Sequence, residues 1–283
     1  VAESAVAALG WAHRLRCDPA VGLAQGAENG DKAHMNMDHT SPVIDRQLSH
    51  TSVRRYTEEP IRPELLRTVI QAGQGAASSS FVQACSIIRV TRPEARQAIA
   101  EAAGGQAWIE QAAEFLVFCA DLRRVDAACR RAGRGELEGW SEHGLIAVID
   151  TALLAQNVLL AAESVGLGGV FIGGIRNDPR VVVDQLRLPH LVVPVFGMCL
   201  GWPAERPEVK PRMPVDMVLH EDEYRDPSAP EIESYDATMA AYYRARSTNV
   251  KAADWTTTTA AATQGKKREH MLAFLQEHGF FVR

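Results

Sequence analysis

No Cys-x-x-Cys pair occurs among the five cysteines, Cys17, Cys85, Cys119, Cys129 and Cys199, so a zinc ribbon or a thioredoxin-like redox pair has no ligands to stand on. Cys119 and Cys199 lie in apolar runs, where a thiol behaves as a small hydrophobe. A reduced, cytoplasmic chain is the expectation. Basic charge is also in short supply. A net charge of -5 and a pI near 6.0 give no field attractive to nucleic acid or anionic lipid, and no long Lys/Arg block appears. No nucleic-acid partner is expected. A G-x-S-x-G elbow and a P-loop are absent, which removes the usual serine hydrolase and NTPase machinery. "HEDE" at 220–223 lacks the i, i+4 His pair that sets two imidazoles on one helix face. It reads as solvated surface, and no metal site is nominated.

What the chain does have is bulk. At 283 residues and 46% hydrophobic content it can bury a sizeable core. The longest apolar stretch, "LIAVIDTALLAQNVLLAAESVGLGG" at 145–169, is broken by Asp150, Gln156, Asn157, Glu163 and Ser164. A charge inside a membrane span costs a few kcal/mol even on mild insertion scales, so a central buried helix or a subunit interface is expected here, and no membrane partner.

Residues 1–34 have few large apolar residues after Trp11, and "AQGAENGDKAH" reads as a polar, flexible run. No basic region precedes "AVAALGW", so a signal peptide is not expected. The reading is a disordered extension over 1–40, outside the native fold, with Met35 or Met37 as the true beginning. Residues 41–283 form the expected working domain, ending in a helical segment.

From residue 40 on, helical and strand-like punctuation alternate. "PELLRTVIQAG" (63–73) puts Leu65, Leu66, Val69 and Ile70 on one helical face. "SIIRVT" (86–91) is short and β-branched, "PEARQAIAEAAGG" is a helix stopped by paired Gly, and "AEFLVFCAD" (113–121) is a buried strand. "GGVFIGG" and "VVPVFGMCLGWP" follow the central helix as two more strands. "EIESYDATMAAYYRARS" and "GKKREHMLAFLQEHGF" then show helical spacing, the second stopped at Gly279. An α+β chain with a central mixed sheet flanked by helices is expected. The segment 122–142 reads as a mobile, partly basic flap.

"SHTSVRRYTEEPI" (49–61) sets His50, Ser52 and Arg54 at alternate positions. In an extended segment they point the same way, and all three donate hydrogen bonds to anions. An ordinary solvated segment is the competing reading. "KPRMP" (210–214) adds Lys210 and Arg212 on one side of an extended strip. Together these make a distributed anion site suited to one phosphate. "SSSF" (78–81) and "GGQ" (104–106) supply Ser78, Ser80 and Gln106 for the rest of a ligand. "GLGGVFIGG" (166–174) lacks the third Gly of a dinucleotide loop, where Phe171 stands, and it follows a helix instead of opening one. It is either a helix cap leading into a Gly-rich strand or a place where backbone approaches a flat ligand.

These blocks, with "SSSFVQACSIIRVT", "GGQAWIEQAAEFLVFCADL", "DTALLAQNVLLAAESVGLGGVFIGGIRND" and "VFGMCLGWPAERPEVKPRMP", resemble the oxygen-insensitive NADPH-dependent nitroreductases and NADPH flavin reductases. The resemblance runs over roughly residues 43–283. It implies an FMN-dependent nitroreductase-like fold in an interlocked homodimer, with the flavins at the subunit interface and the long helix in the dimer core. It implies that His50, Ser52, Lys210 and Arg212 hold the FMN phosphate and that Arg54 stands by flavin N1 and the C2 carbonyl. Ser78, Ser80 and Gln106 would contact ring and ribityl chain, and the backbone of Gly166, Leu167, Gly168 and Gly169 would approach N5. Arg246 and Lys251 would take the NADPH 2'-phosphate, and Phe81 and Arg268 would line the substrate mouth. This chain departs from the family at "NVKAA", where relatives carry more Arg, and at Thr51, where a basic residue is common.

The flavin N5 then carries the hydride and no acid-base side chain is nominated as catalytic. The implied activity is two-electron, ping-pong reduction of nitroaromatics and quinones by NADPH. An NADPH:FMN oxidoreductase that feeds reduced flavin to a partner enzyme would use the same residues. A flavoprotein that only stores or senses flavin is the reading from another class.

Overall fold

The structure is a computed structural model that describes residues 41–246, 250–265 and 267–283. The extension expected over 1–40 lies outside these residues. Ten α-helices and four strands follow one another among the described residues: α1 (Pro42–Leu48), α2 (Pro63–Gly73), β1 (Cys85–Arg89), α3 (Pro93–Ala102), α4 (Trp108–Gln111), β2 (Glu114–Asp121), α5 (Arg123–Arg131), α6 (Ser141–Ser164), β3 (Gly168–Ile172), α7 (Pro179–Leu186), β4 (Val192–Gly201), α8 (Ala229–Ala245), α9 (Trp255–Thr263) and α10 (Met271–Glu277). Proline opens α1, α2, α3 and α7, where its fixed φ and missing N–H cost nothing.

The strands form one sheet in the order β1-β2-β4-β3. Each of its three pairings is antiparallel, so the class is α+β as expected while the sheet is antiparallel instead of mixed. Every β2 residue is buried, because helices cover both faces of this inner strand. A bulge at Phe118/Cys119 pushes Val195 of β4 out of register. Its carbonyl accepts a hydrogen bond from the half-buried Arg176 guanidinium at 2.5 Å.

Helix α6 lies along the sheet and against α2. Contact with α2 is close enough that a Cβ at Gly73 would stand 2.2 Å from Val158 Cγ2. Although α6 is long and apolar enough to cross a membrane, its inner face is core: Ala147, Ala155, Val158, Leu159 and Ala162 are buried. On its outer face Leu145, Ile149 and Leu153 are about half exposed.

Segment 122–142, expected as a flap, is tied down. Its first half is α5, and the Asp126 carboxylate accepts from Arg130 Nε at 2.7 Å and from the Leu137 N–H at 2.8 Å. The i, i+4 pair and the turn back to Leu137 were not visible as a pattern in so polar a stretch.

Candidate functional site

Residues 50–54 run extended beside β3. The Val53 N–H donates to the Gly169 carbonyl at 3.0 Å, and the Val53 side chain is buried against Gly168, where a Cβ would meet Val53 Cγ2 at 2.7 Å. With Val53 turned inward, the alternation of an extended chain sends Ser52 and Arg54 the other way. Tyr56 locks the strip from below: its hydroxyl donates to the Val53 carbonyl at 2.6 Å. Burial drives the Tyr56 phenol far above its ordinary range, so it stays a donor. Tyr56 also bridges to Pro203, and Ala204 N–H donates to Arg55 O.

The same strip meets the end of α6. Gly166, with φ +90°, turns the chain out of the helix, and the Gly166 and Leu167 N–H groups close back on Glu163 and Ala162 carbonyls. Gly168 and Gly169 then enter β3. Of the two open readings of "GLGG", the cap leading into a Gly-rich strand is the local structure. The tight packing leaves no room for side chains here: a Cβ at Gly169 would stand 2.8 Å from the Cys199 carbonyl oxygen. Gly168 and Gly169 are buried under these neighbours, and Gly166 at the turn itself is the exposed member of the run.

His50 Nδ1 stands 2.6 Å from Oε1 of Glu163, whose side chain is almost fully buried. Arg54 has its backbone N–H on Glu205 Oε1 at 2.9 Å and its guanidinium 5.8 Å from the Trp108 ring centroid. That contact draws in the 104–108 turn, where Gln106 Nε2 donates to Ala103 O at 2.7 Å. His50, Ser52, Arg54, the glycine turn and the Gln106 turn thus form one neighbourhood.

Ser78 and Ser80 are held elsewhere, at the other end of α6. Asp150 accepts from the Ser78 hydroxyl and anchors a loop in which Ser80, Phe81 and Gln83 all have positive φ. The Phe81 ring is 78% exposed. Beside this loop is a cavity of about 530 Å³ bounded by Ile70, Ser78, Gln83, Arg124 and Leu154.

Lys210, expected with the phosphate group, and Lys251, expected with the nucleotide, share one support. Their Nζ atoms lie 5.5 and 4.2 Å from the Tyr243 ring centroid. Burial alone would raise the Tyr243 phenol; the hydrogen bond and charge of Lys210, with the charge of Lys251, outweigh it and leave it lowered. Arg212 is exposed on the same segment, which is fixed to α8 by Tyr235 Oη donating to Pro211 O at 3.0 Å. The Arg246 guanidinium lies 5.8 Å from the Tyr242 ring, and its buried Nε has no partner among the described residues. Arg268 is not free: Nε and Nη2 both donate to Asn177 Oδ1, at 3.0 and 2.9 Å.

Residues 48–202 match the nitroreductase family, and residues 210–283 match the nitroreductase family C-terminal domain. The chain belongs to the nitroreductase family. It is 45% identical to the NADPH-flavin oxidoreductase of Vibrio harveyi over 241 residues, covering 85% of this chain and 99% of that one. It is 41% identical to the oxygen-insensitive NADPH nitroreductase of Salmonella typhimurium, covering 86% and 100%. Among solved structures, nitroreductase A of Vibrio parahaemolyticus aligns with a TM-score of 0.79 at 41% identity, again covering 86% and 100%.

Within this nitroreductase frame, sequence reasoning missed Glu163, Asp150 and Tyr243. The two acids were visible as interruptions of an apolar run, which is the signal that finds them. Tyr243 carries no signal beyond its place in an aromatic pair.

Proposed function

We propose that this chain is an FMN-containing, NADPH-dependent oxidoreductase that reduces nitroaromatics and quinones in two-electron, ping-pong fashion, as a homodimer in the cytoplasm. The reading rests above all on the Val53–Gly169 hydrogen bond, which sets His50, Ser52 and Arg54 beside the glycine turn. The donor set fits a flavin mononucleotide: an imidazole, a hydroxyl with no described partner, a guanidinium, and the exposed Gly166 turn beside them.

When bound, FMN supplies hydride chemistry at N5. His50 and Ser52, with Lys210 and Arg212 from the 210–212 strip, would take its phosphate. Arg54, propped on Trp108, would hold positive charge near ring N1 and the C2 carbonyl, favouring the electron-rich ring. Gly166, Gly168 and Gly169 would let backbone come close to N5. Gln106, Ser78 and Ser80 would serve ring and ribityl groups. Arg246 and Lys251, on their tyrosine supports, would bind the NADPH 2'-phosphate, and Phe81 and Arg268 would border the acceptor. No side chain is assigned a proton-transfer role.

Two features support the dimer reading. Leu145, Ile149 and Leu153 make an apolar stripe on the outer face of α6, and α1, which also contacts α6, buries none of its own residues. Asp150 and Glu163 are also about 20 Å apart along the helix axis. Ser78, held by the first, and His50, held by the second, therefore suit different ligands, and Ser78 and Ser80 would reach the flavin of the partner subunit. Residues 41–283 would act as one catalytic domain.

The test is an anaerobic titration with NADPH and then NADH, watching flavin absorbance, followed by a nitroaromatic. Bleaching by NADPH and recovery on adding the nitro compound is the expected course. A protein that takes up no FMN would remove the reading. The relative named NADPH-flavin oxidoreductase, at 45% identity, keeps one second reading in view, supply of reduced flavin to a partner enzyme. Steady turnover of added free FMN with little nitro reduction would favour it.

A further inference from the structure

Glu163 sits in an apolar helix, with its side chain almost fully buried, and its one described polar partner is the His50 ring at 2.6 Å. A buried carboxylate is a poor way to gain stability; an apolar residue of similar shape would fill the same space at no desolvation cost. The acid is therefore expected to do something for the imidazole. A carboxylate oxygen bonded to Nδ1 accepts, so Nδ1 carries the hydrogen and Nε2 is left outward, with no partner among the described residues. In a neutral ring held this way Nε2 is a lone pair, which repels a phosphate oxygen. Nε2 donates only when both ring nitrogens are protonated, and a carboxylate against Nδ1 is the counter-charge that supports that form.

We propose that Glu163 is a positioning residue for the phosphate end of the flavin site: it fixes the His50 ring with Nδ1–H inward and supports the second proton through which Nε2–H meets the phosphate. The proposal rests on the reading of His50 as a phosphate ligand. Other charged groups on the elements packed here are Asp45 and Arg46 of α1, Arg54 of the strip and Glu205; none bonds to the imidazole among the described residues.

The experiment compares FMN with riboflavin, which has the ring but not the phosphate, by fluorescence quenching on flavin-depleted protein. Glu163→Gln keeps the shape and removes the charge. It is expected to weaken FMN on the order of tenfold, as for other residues that orient a functional His, while riboflavin affinity holds. With the wild type preferring FMN, unchanged affinities in the variant, or equal losses for both flavins, would overturn the proposal alone. A wild type that binds both flavins equally would remove the phosphate reading of His50, and this proposal with it. A second measurement needs no variant: the nitrogen-15 spectrum of His50 in the FMN-loaded wild type should show both ring nitrogens protonated. A neutral-ring signature there would overturn the proposal.

Discussion

One carboxylate of Asp150 holds Ser78 and the loop that follows it: it accepts from Ser78 Oγ at 2.7 Å, Ser79 N–H at 3.0 Å and Ala84 N–H at 3.1 Å. Between these anchors Ser80, Phe81 and Gln83 have φ of 47°, 58° and 52°, a region non-glycine residues enter at a cost of about 1–2 kcal/mol each. The loop keeps that shape because its ends converge on a single buried acceptor.

Asp150→Asn preserves volume but turns an NH2 toward a set of donors. The expected loss is about 3 kcal/mol of stability, with the urea midpoint lowered and the slope unchanged. Equal midpoints for variant and wild type would show that the loop needs no such anchor.

Arg246→Ala should raise the KM for NADPH roughly tenfold while leaving the KM for NADH within about twofold, since only the former carries the 2'-phosphate. Steady-state kinetics with both donors decides it. Equal effects on the two would take Arg246 out of the nucleotide site.

Helix α6 was legible as a long buried helix from its apolar length, and its two acids were legible as interruptions. Their partners were not. Ser78 comes from a loop 72 residues earlier in the chain than Asp150, and His50 lies 113 residues before Glu163, distances over which no local pattern reports contact. Helix α2 was read with its observed bounds because Pro63 opens it and one apolar face runs through Leu65, Leu66, Val69 and Ile70. Helix α5 was read as a flap because its arginines hide the i, i+4 bond of Asp126 to Arg130. The alternation of His50, Ser52 and Arg54 was readable because Val53 between them is apolar and turns inward. Lys210 and Lys251 were assigned to different ligands because nothing in sequence places both on Tyr243.

Ile149→Glu combined with Leu153→Glu should convert the proposed dimer to monomers in sedimentation velocity at micromolar concentration, with far-UV dichroism retained. Both side chains are about half exposed in the single chain, so its own core is left intact. Persistence of a dimer would move the interface off this stripe.

Glu231 is held down to about 2 from its ordinary 4.5, first by the Arg225 guanidinium and then by Ser228 at the start of α8. Because the folded value is the lower one, its contribution is complete above about pH 4.5 and disappears as pH falls toward 2. Melting temperature should therefore fall more steeply in that window for the wild type than for Glu231→Gln, and the two curves should run parallel above it. Parallel curves throughout would mean that the pair does not couple to folding.

Tyr243 bears on anyone who would retune the electron donor. On the proposed assignment, one phenol ring steadies both the lysine that retains the cofactor and the lysine that discriminates between nicotinamide donors. Changes around it made to favour NADH would also loosen the prosthetic group, so donor preference and flavin retention would drift together across a mutant library and need to be screened as one trait.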